Sequence, residues 1–247
     1  MFTSEGLTAY RYWRAEVGTP TEEDVERDRN GTCSICGGWG YVNVDGNAVK
    51  CLCATVLWAS QIAEKIDPYR SPVRTASWED IKPRDSRMET LLVATQGMKE
   101  FIGGLDRWVI LMGSFGVGKT LLMRVANTEL DPIALYITCG DLERQVHQAV
   151  GNHTLSQLIT TLAQAPVLLL DDYGMEYGSD IFNSTVASIV SMRDAMWKIA
   201  PTVVATNLAR AALYGIPRVG SRLLDEEKSY QYVISVGDYR LVVRRKG

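Results

Sequence analysis

Residues 108 to 120 read WVILMGSFGVGKT, and this stretch constrains the chain more than any other. Trp108 to Met112 is a short apolar run of β-prone residues, which reads as a buried strand. Gly113 follows, then four residues, then Gly118, Lys119 and Thr120. Leu121 to Thr128 reads as a helix. Strand, glycine loop and helix are the setting in which GxxxxGK[ST] forms a phosphate-binding P-loop. Glycines let the backbone turn tightly and approach phosphate oxygens with no Cβ in the way. Amides at the helix start form an anion nest that the helix dipole reinforces. Lys119 brings a point charge to the outer phosphates, and the Thr120 hydroxyl is a Mg²⁺ ligand. The candidate ATP-binding set is Gly113, Ser114, Phe115, Gly116, Val117, Gly118, Lys119, Thr120 and Leu121.

A second motif strengthens the first. VLLLDD at 167 to 172 is an apolar strand, Val167 to Leu170, finishing in two carboxylates. In a parallel α/β sheet, ligands bind at the carboxyl ends of the strands. Asp171 is therefore placed to hold Mg²⁺ and its hydration shell beside the phosphates. Asp172 is placed to orient or deprotonate the attacking water, with Glu176 as the spare candidate. Thr202 to Ala205 is a further strand, ending in Thr206-Asn207, and Asn207 there can reach the γ-phosphate or its water.

The chain has 247 residues and a formal net charge of −3. No global field draws it to nucleic acid, so a DNA contact must use a local patch. No apolar run approaches the roughly 20 residues needed to span a bilayer, and no signal-peptide pattern opens the sequence. The expectation is a cytoplasmic protein without a membrane partner. Five cysteines are present, four of them between Cys33 and Cys53. In a reducing compartment that clustering points to metal before disulfides. Cys33 and Cys36 form a CxxC knuckle followed by Gly38 and Gly40. Tyr41 to Val44 and Ala48 to Lys50 read as a hairpin around Asp45-Gly46-Asn47, which returns Cys51 and Cys53 to the first pair. Four thiolates then hold Zn²⁺ in a closed, structural site. A redox CxxC is the alternative, although no thioredoxin-like βαβ pattern surrounds it.

Before the cysteines, Leu7 to Glu16 reads as a helix bearing Tyr10, Tyr12 and Trp13, either solvated or presenting an aromatic docking face. Ala54 to Ile66 is a helix, and Pro68 and Pro72 then break the pattern. The expected domains are a zinc module at 1–70 and a nucleotide-binding domain at 71–247. In the second, Met88 to Phe101 is a helix capped by Gly103-Gly104. Ile133 to Cys139 is a strand, and 140–150, 155–163 and 181–199 are helices. A terminal hairpin is expected from Tyr230 to Val236 and Tyr239 to Val243. Alternating strands and helices give an α/β fold, a parallel sheet with helices on both faces.

The succession GSFGVGKT, LLLDDYG and VVATNL resembles the AAA+ P-loop ATPases of the bacterial helicase loader group, which includes DnaC-type loaders and IstB-type transposition ATPases. RTASWEDI resembles the short motif that packs near the adenine there. MRDAMWKIAPTVVATNL resembles the stretch in which an arginine precedes the sensor strand. IPRVGSRLL resembles the arginine-finger box, and SVGDYRL the terminal segment. The likeness covers about residues 73 to 243. It implies an AAA+ core without a C-terminal helical lid, Asn207 as sensor, and Arg222 as the finger that completes a neighbour's site. Arg218 is the alternative finger, and Arg240 a sensor-like candidate. Two departures stand out. Phe115 replaces a small residue or proline, and Asp238 stands where serine is common. The four-cysteine module is not a feature of the best-known loaders, although it resembles modules that phage-type relatives carry.

The resemblance implies an ATP-dependent replication helicase loader that assembles as an oligomer, binds single-stranded DNA and delivers a replicative helicase, in a bacterial or phage-infected bacterial cell. The alternative is an IstB-like transposition ATPase that grips duplex DNA and engages a transposase. A third reading, a nucleotide-locked adaptor, would need a broken catalytic set, and Asp172 and Arg222 argue against that.

Overall fold

The computed structural model describes residues 6, 8–10, 33, 35–37, 39–44, 46–82, 88–174 and 179–235. The chain forms two compact units, Met1–Pro68 and Tyr69–Gly247. In the first, strands β1 (Tyr41–Val44) and β2 (Asn47–Lys50) make an antiparallel hairpin in which Val44 pairs with Asn47. The connection is therefore two residues long, and Asn47 belongs to the strand rather than to the turn. Gly46 takes φ 83°, the left-handed conformation that a tight Asp-Gly hairpin turn requires. Helix α1 (Leu52–Ile66) buries Val56, Trp58, Ala59, Ile62 and Ile66, a stripe at helical spacing. Residues 8 to 10 are helical. Tyr10 is fully buried, with its ring 6.4 Å from that of Trp58. Tyr10 is thus neither solvated nor available for docking, because its ring fills the space beside Trp58. Tyr12 and Trp13 lie outside the described residues.

The second unit begins by covering a sheet edge. Helix α2 (Glu89–Gly104) leads into β3 (Trp108–Met112), then α3 (Lys119–Glu129), β4 (Ala134–Thr138), α4 (Cys139–Gly151), α5 (Leu155–Gln164) and β5 (Val167–Tyr173). Helix α6 (Asp180–Asp194), β6 (Thr202–Thr206), α7 (Arg210–Tyr214), α8 (Pro217–Leu223) and β7 (Ser229–Val233) follow. The sheet order is β4-β5-β6-β3-β7, and every pairing is parallel. β3, β5 and β6 are buried along almost their whole length, which is why their sequences run apolar without alternation. β4 is an edge strand, and Arg70 and Ser71 cap it. The Ser71 N–H donates to Tyr136 O at 2.9 Å, Ser71 Oγ accepts from the Thr138 N–H at 3.0 Å, and Arg70 Nε donates to Ala134 O at 3.0 Å. Such cover keeps an edge from pairing with another chain.

Three local expectations change. Gly103 and Gly104 lie inside α2, and the left-handed cap is Leu105, with φ 49° and ψ 35°. Leu105 is buried, and that burial offsets a conformational cost of about 1–2 kcal/mol. α6 ends at Asp194, not at 199. From there Met196 N–H to Arg193 O and Ile199 N–H to Met196 O are three-residue turns, which bring Pro201 back beside Arg193. β7 pairs in parallel with β3, Trp108 opposite Ser229. It extends the sheet, and residues 236–247, where a hairpin partner was expected, lie outside the described residues. Among the described residues no helix is long and apolar enough to cross a membrane.

Candidate nucleotide site and metal centre

β6 lies between β3 and β5, so three parallel strands end side by side. The P-loop leaves β3, Asn207 follows β6, and the aspartate pair lies in the last residues of β5. At Gly113 a Cβ would run into the carbonyl oxygen of Ile234, and at Gly118 (φ 105°) it would press on Leu91. Only glycine fits where the loop leaves β3 and where it enters α3. Lys119 is buried. Its Nζ donates to Gly113 O and Ser114 O, both at 2.8 Å, and to Asn207 Oδ1 at 2.6 Å. Burial lowers the Lys119 pKa, while the charges of Asp172 and Asp171 pull it back up. Phe115 is exposed at the loop.

Sequence alone ended the strand at Leu170, but β5 runs on to Tyr173 through a bulge. Leu170 pairs with Val204 and Tyr173 with Thr206, so Asp171 and Asp172 together oppose the single residue Ala205. Asp172 takes φ 58°, which an aspartate tolerates better than most side chains. Bulges of this kind re-aim side chains beside functional sites. Asp171 is fully buried. Its Oδ2 accepts from the Tyr136 hydroxyl at 2.8 Å and its Oδ1 from the Asp172 N–H at 2.9 Å. Burial and then the charge of Asp172 raise its pKa, while Tyr136, the Asp172 N–H and the Thr120 hydroxyl oppose that rise. The Thr120 hydroxyl is thus near enough to Asp171 to oppose that rise, and the two are hard oxygen donors of the kind Mg²⁺ takes. Tyr136 escaped the sequence reading. The available signal was a polar-tipped ring in the otherwise apolar run IALYI, since a buried Tyr hydroxyl usually finds a partner.

The arginines separate sharply. Arg193, the one preceding the sensor strand, is fully buried. It donates to Thr202 Oγ1 (2.8 Å) and to the carbonyls of Leu162 (3.2 Å), Ala163 (3.0 Å), Ala165 (2.7 Å) and Pro201 (2.7 Å). Burial lowers its pKa to about 9, so it stays charged at neutral pH. Arg222, on α8, is partly exposed, with Nε 3.5 Å from Asp194 Oδ2. That is ion-pair range, although Nε has no hydrogen-bond partner there. Its Nη1 donates to Arg218 O. Lys228 Nζ meets the other Asp194 oxygen at 2.6 Å. Arg218 is exposed. Glu176 and Arg240 lie outside the described residues.

In the first unit the four sulfurs of Cys33, Cys36, Cys51 and Cys53 lie within 4.8 Å of one another. Cys33 to Cys51 and Cys36 to Cys53 are each 3.7 Å. Four sulfurs about 2.3 Å from one Zn²⁺ sit about 3.8 Å apart at tetrahedral angles, whereas a disulfide needs about 2.05 Å. All four are free thiols at that spacing, so the geometry fits zinc. The unusual CxC spacing has a structural reason. Cys51 caps α1, whose first turn carries Cys53, so a strand-to-helix junction does the work of a second knuckle. Burial opposes ionisation of Cys36, but the Gly40 N–H, 3.2 Å from its sulfur, and the neighbouring thiols bring it to about 7. Burial pushes Cys51 up to about 11 and Cys53 further.

No protein-family model matches the chain. Over 109 residues it is 26% identical to the replicative helicase loader DnaI of Bacillus subtilis, a stretch covering 43% of this chain and 35% of DnaI. The match thus spans about a third of that protein. The crystal structure of DnaI superposes with a TM-score of 0.54 at 24% identity, covering 65% of this chain and 91% of that one. AMPPCP-bound DnaA from Aquifex aeolicus superposes at 0.56 and 21% identity, covering 69% and 54%. The chain has the AAA+ P-loop fold of these replication proteins and is similar in sequence to a replicative helicase loader, and its first unit carries a four-cysteine cluster that fits a zinc module.

Proposed function

We propose that the protein is an ATP-dependent helicase loader, hydrolysing ATP between protomers and delivering a replicative helicase to single-stranded DNA. The observation that carries the nucleotide half is the convergence of Lys119, Asn207, Thr120 and the Asp171–Asp172 pair at three adjacent strand ends. The similarity to DnaI supports the loader half over the transposition reading. In this scheme the P-loop amides and Lys119 bind the phosphates. Lys119 exchanges its carbonyl partners for phosphate oxygens while Asn207 holds the attacking water. Asp172, left-handed at the bulge, accepts that water's proton. Thr120 and Asp171 hold Mg²⁺, which when bound neutralises developing phosphate charge. The zinc module serves as the partner-docking element, and Zn²⁺, when bound, would crosslink the Cys33–Cys36 knuckle to the start of α1.

Arg222 completes a neighbour's site. Its ion pair with Asp194 is partly exposed, so exchanging that carboxylate for a neighbour's γ-phosphate costs little. The test mixes Arg222→Ala protomers with Asp172→Asn protomers, each expected to be inactive. Mixed interfaces join an intact finger to an intact aspartate and regain part of the ATPase rate. In-trans fingers contribute roughly 10³–10⁵ in the best-studied GTPases. A flat response at every ratio rejects the shared site for Arg222 and sends Arg218 to the same experiment. Capture of a purified replicative helicase, and not of a transposase, by the full chain with a non-hydrolysable ATP analogue tests the loader assignment. Capture of the transposase alone reverses it.

A further inference from the structure

We infer that Tyr136 is a positioning residue whose hydroxyl sets the orientation in which Asp171 meets the Mg²⁺–nucleotide complex. The inference rests on the reading of Asp171 given above. Asp171 sits at a bulge, where the regular ladder no longer dictates its direction. Its two oxygens are instead held from opposite sides, Oδ1 by the backbone of Asp172 and Oδ2 by Tyr136.

The tyrosine is itself held on both sides. It pairs with Leu169 across the β4–β5 ladder, and its carbonyl takes the Ser71 N–H on the outer edge. Thr138, two residues on, stands opposite Asp171. Tyr136 is thus the diagonal neighbour of Asp171, a spacing that a long aromatic side chain bridges. The ring is buried, so phenylalanine fills the same space and deletes only the hydroxyl. A tyrosine needed for packing alone would satisfy its hydroxyl on any nearby acceptor. This one meets, at 2.8 Å, the carboxylate expected to share the metal with Thr120.

The experiment uses the full chain and a fluorescent, non-hydrolysable ATP analogue, titrated with Mg²⁺ for wild type, Tyr136→Phe, Asp171→Asn and the double variant. Loss of a hydrogen bond to a charged group moves such a midpoint by about tenfold or more. Tyr136→Phe should raise the Mg²⁺ midpoint by about that factor and leave Mg²⁺-free analogue binding unchanged. Added to Asp171→Asn, it should have no further effect. A wild-type midpoint for Tyr136→Phe, with Asp171→Asn clearly shifted, overturns the positioning role and leaves Asp171 in place. A Tyr136→Phe shift of the same size in the wild-type and the Asp171→Asn background overturns it too, since it means a general packing defect. A wild-type midpoint for Asp171→Asn rejects the reading of Asp171 itself, and the role of Tyr136 with it.

Discussion

The two units solve the problem of a core in opposite ways. Around the sheet, apolar strands and helices supply the burial, and polar side chains such as Lys119, Asn207 and Asp171 are left to the strand ends. Around the hairpin, the cysteines are the core. Among the described residues, Cys33, Cys36 and Cys51 form its buried cluster, with Val42, Leu52 and Cys53 packed on them, while Trp39 is 86% exposed and Ile35 50%. A domain with ample apolar area can spend polar groups on chemistry, whereas a module without it must spend them on structure.

Removing the metal should break the comparison most. One equivalent of Zn²⁺ per chain is expected, and structural zinc contributes apparent free energies of about 10–16 kcal/mol in zinc-finger peptides at neutral pH. Chelation, or Cys51→Ser, should therefore release the metal and expose the amides of β1 and β2 to hydrogen exchange, while the sheet's amides keep their protection and nucleotide binding persists. Equal loss of protection in both units would show that the sheet depends on the metal as well.

A polar residue also serves structure inside the larger unit. Arg193→Met should leave up to five buried acceptors without their donor, at about 1–3 kcal/mol for each group left unsatisfied. Relaxation and the methionine's own burial should bring the net loss to about 3–5 kcal/mol, read as a lower urea midpoint for the sheet's unfolding. A change below about 1 kcal/mol would place Arg193 among the dispensable cations.

The smallest effect belongs to Asp194. Asp194→Ala removes partly exposed ion pairs with Lys228 and Arg222, and pairs of that exposure contribute about 0–1 kcal/mol. The unfolding midpoint should barely move, and less still in high salt. A loss comparable to that of Arg193→Met would mean that α8 is held by this carboxylate, and that Arg222 is not free to reach a neighbour.

Much of the site was legible because its signals are local. The glycines and Lys119 of the P-loop, the apolar run before Asp171 and the cysteine spacings each encode a contact within a few residues or across one turn. The limits of β3 follow from five consecutive apolar residues and match the run read from the sequence. What escaped depends on residues distant in sequence. Leu105 took the left-handed cap that two neighbouring glycines advertised, since its side chain has a core to enter. Tyr136 found its acceptor 35 positions away. Arg193 is recognisable in the sequence only as an arginine that precedes the sensor strand, and its five acceptors, gathered from α5, the loop before β5 and the start of β6, show that it acts as a staple.

The sequence by itself determined the chemistry present: a loop able to wrap phosphate, carboxylates at a strand end, and four thiols at metal-binding spacing. These are properties of short segments, where covalent geometry limits the choices. Tertiary structure alone decided the arrangement. It placed β6 between β3 and β5, so that Asn207 meets Lys119. It put the bulge at Asp171–Asp172, where two residues must oppose one. It also paired Arg222 with Asp194 and hid Arg193. Strand order, bulges and ion-pair partners follow from which surfaces bury each other best across the whole chain, and no local stretch of residues contains that comparison.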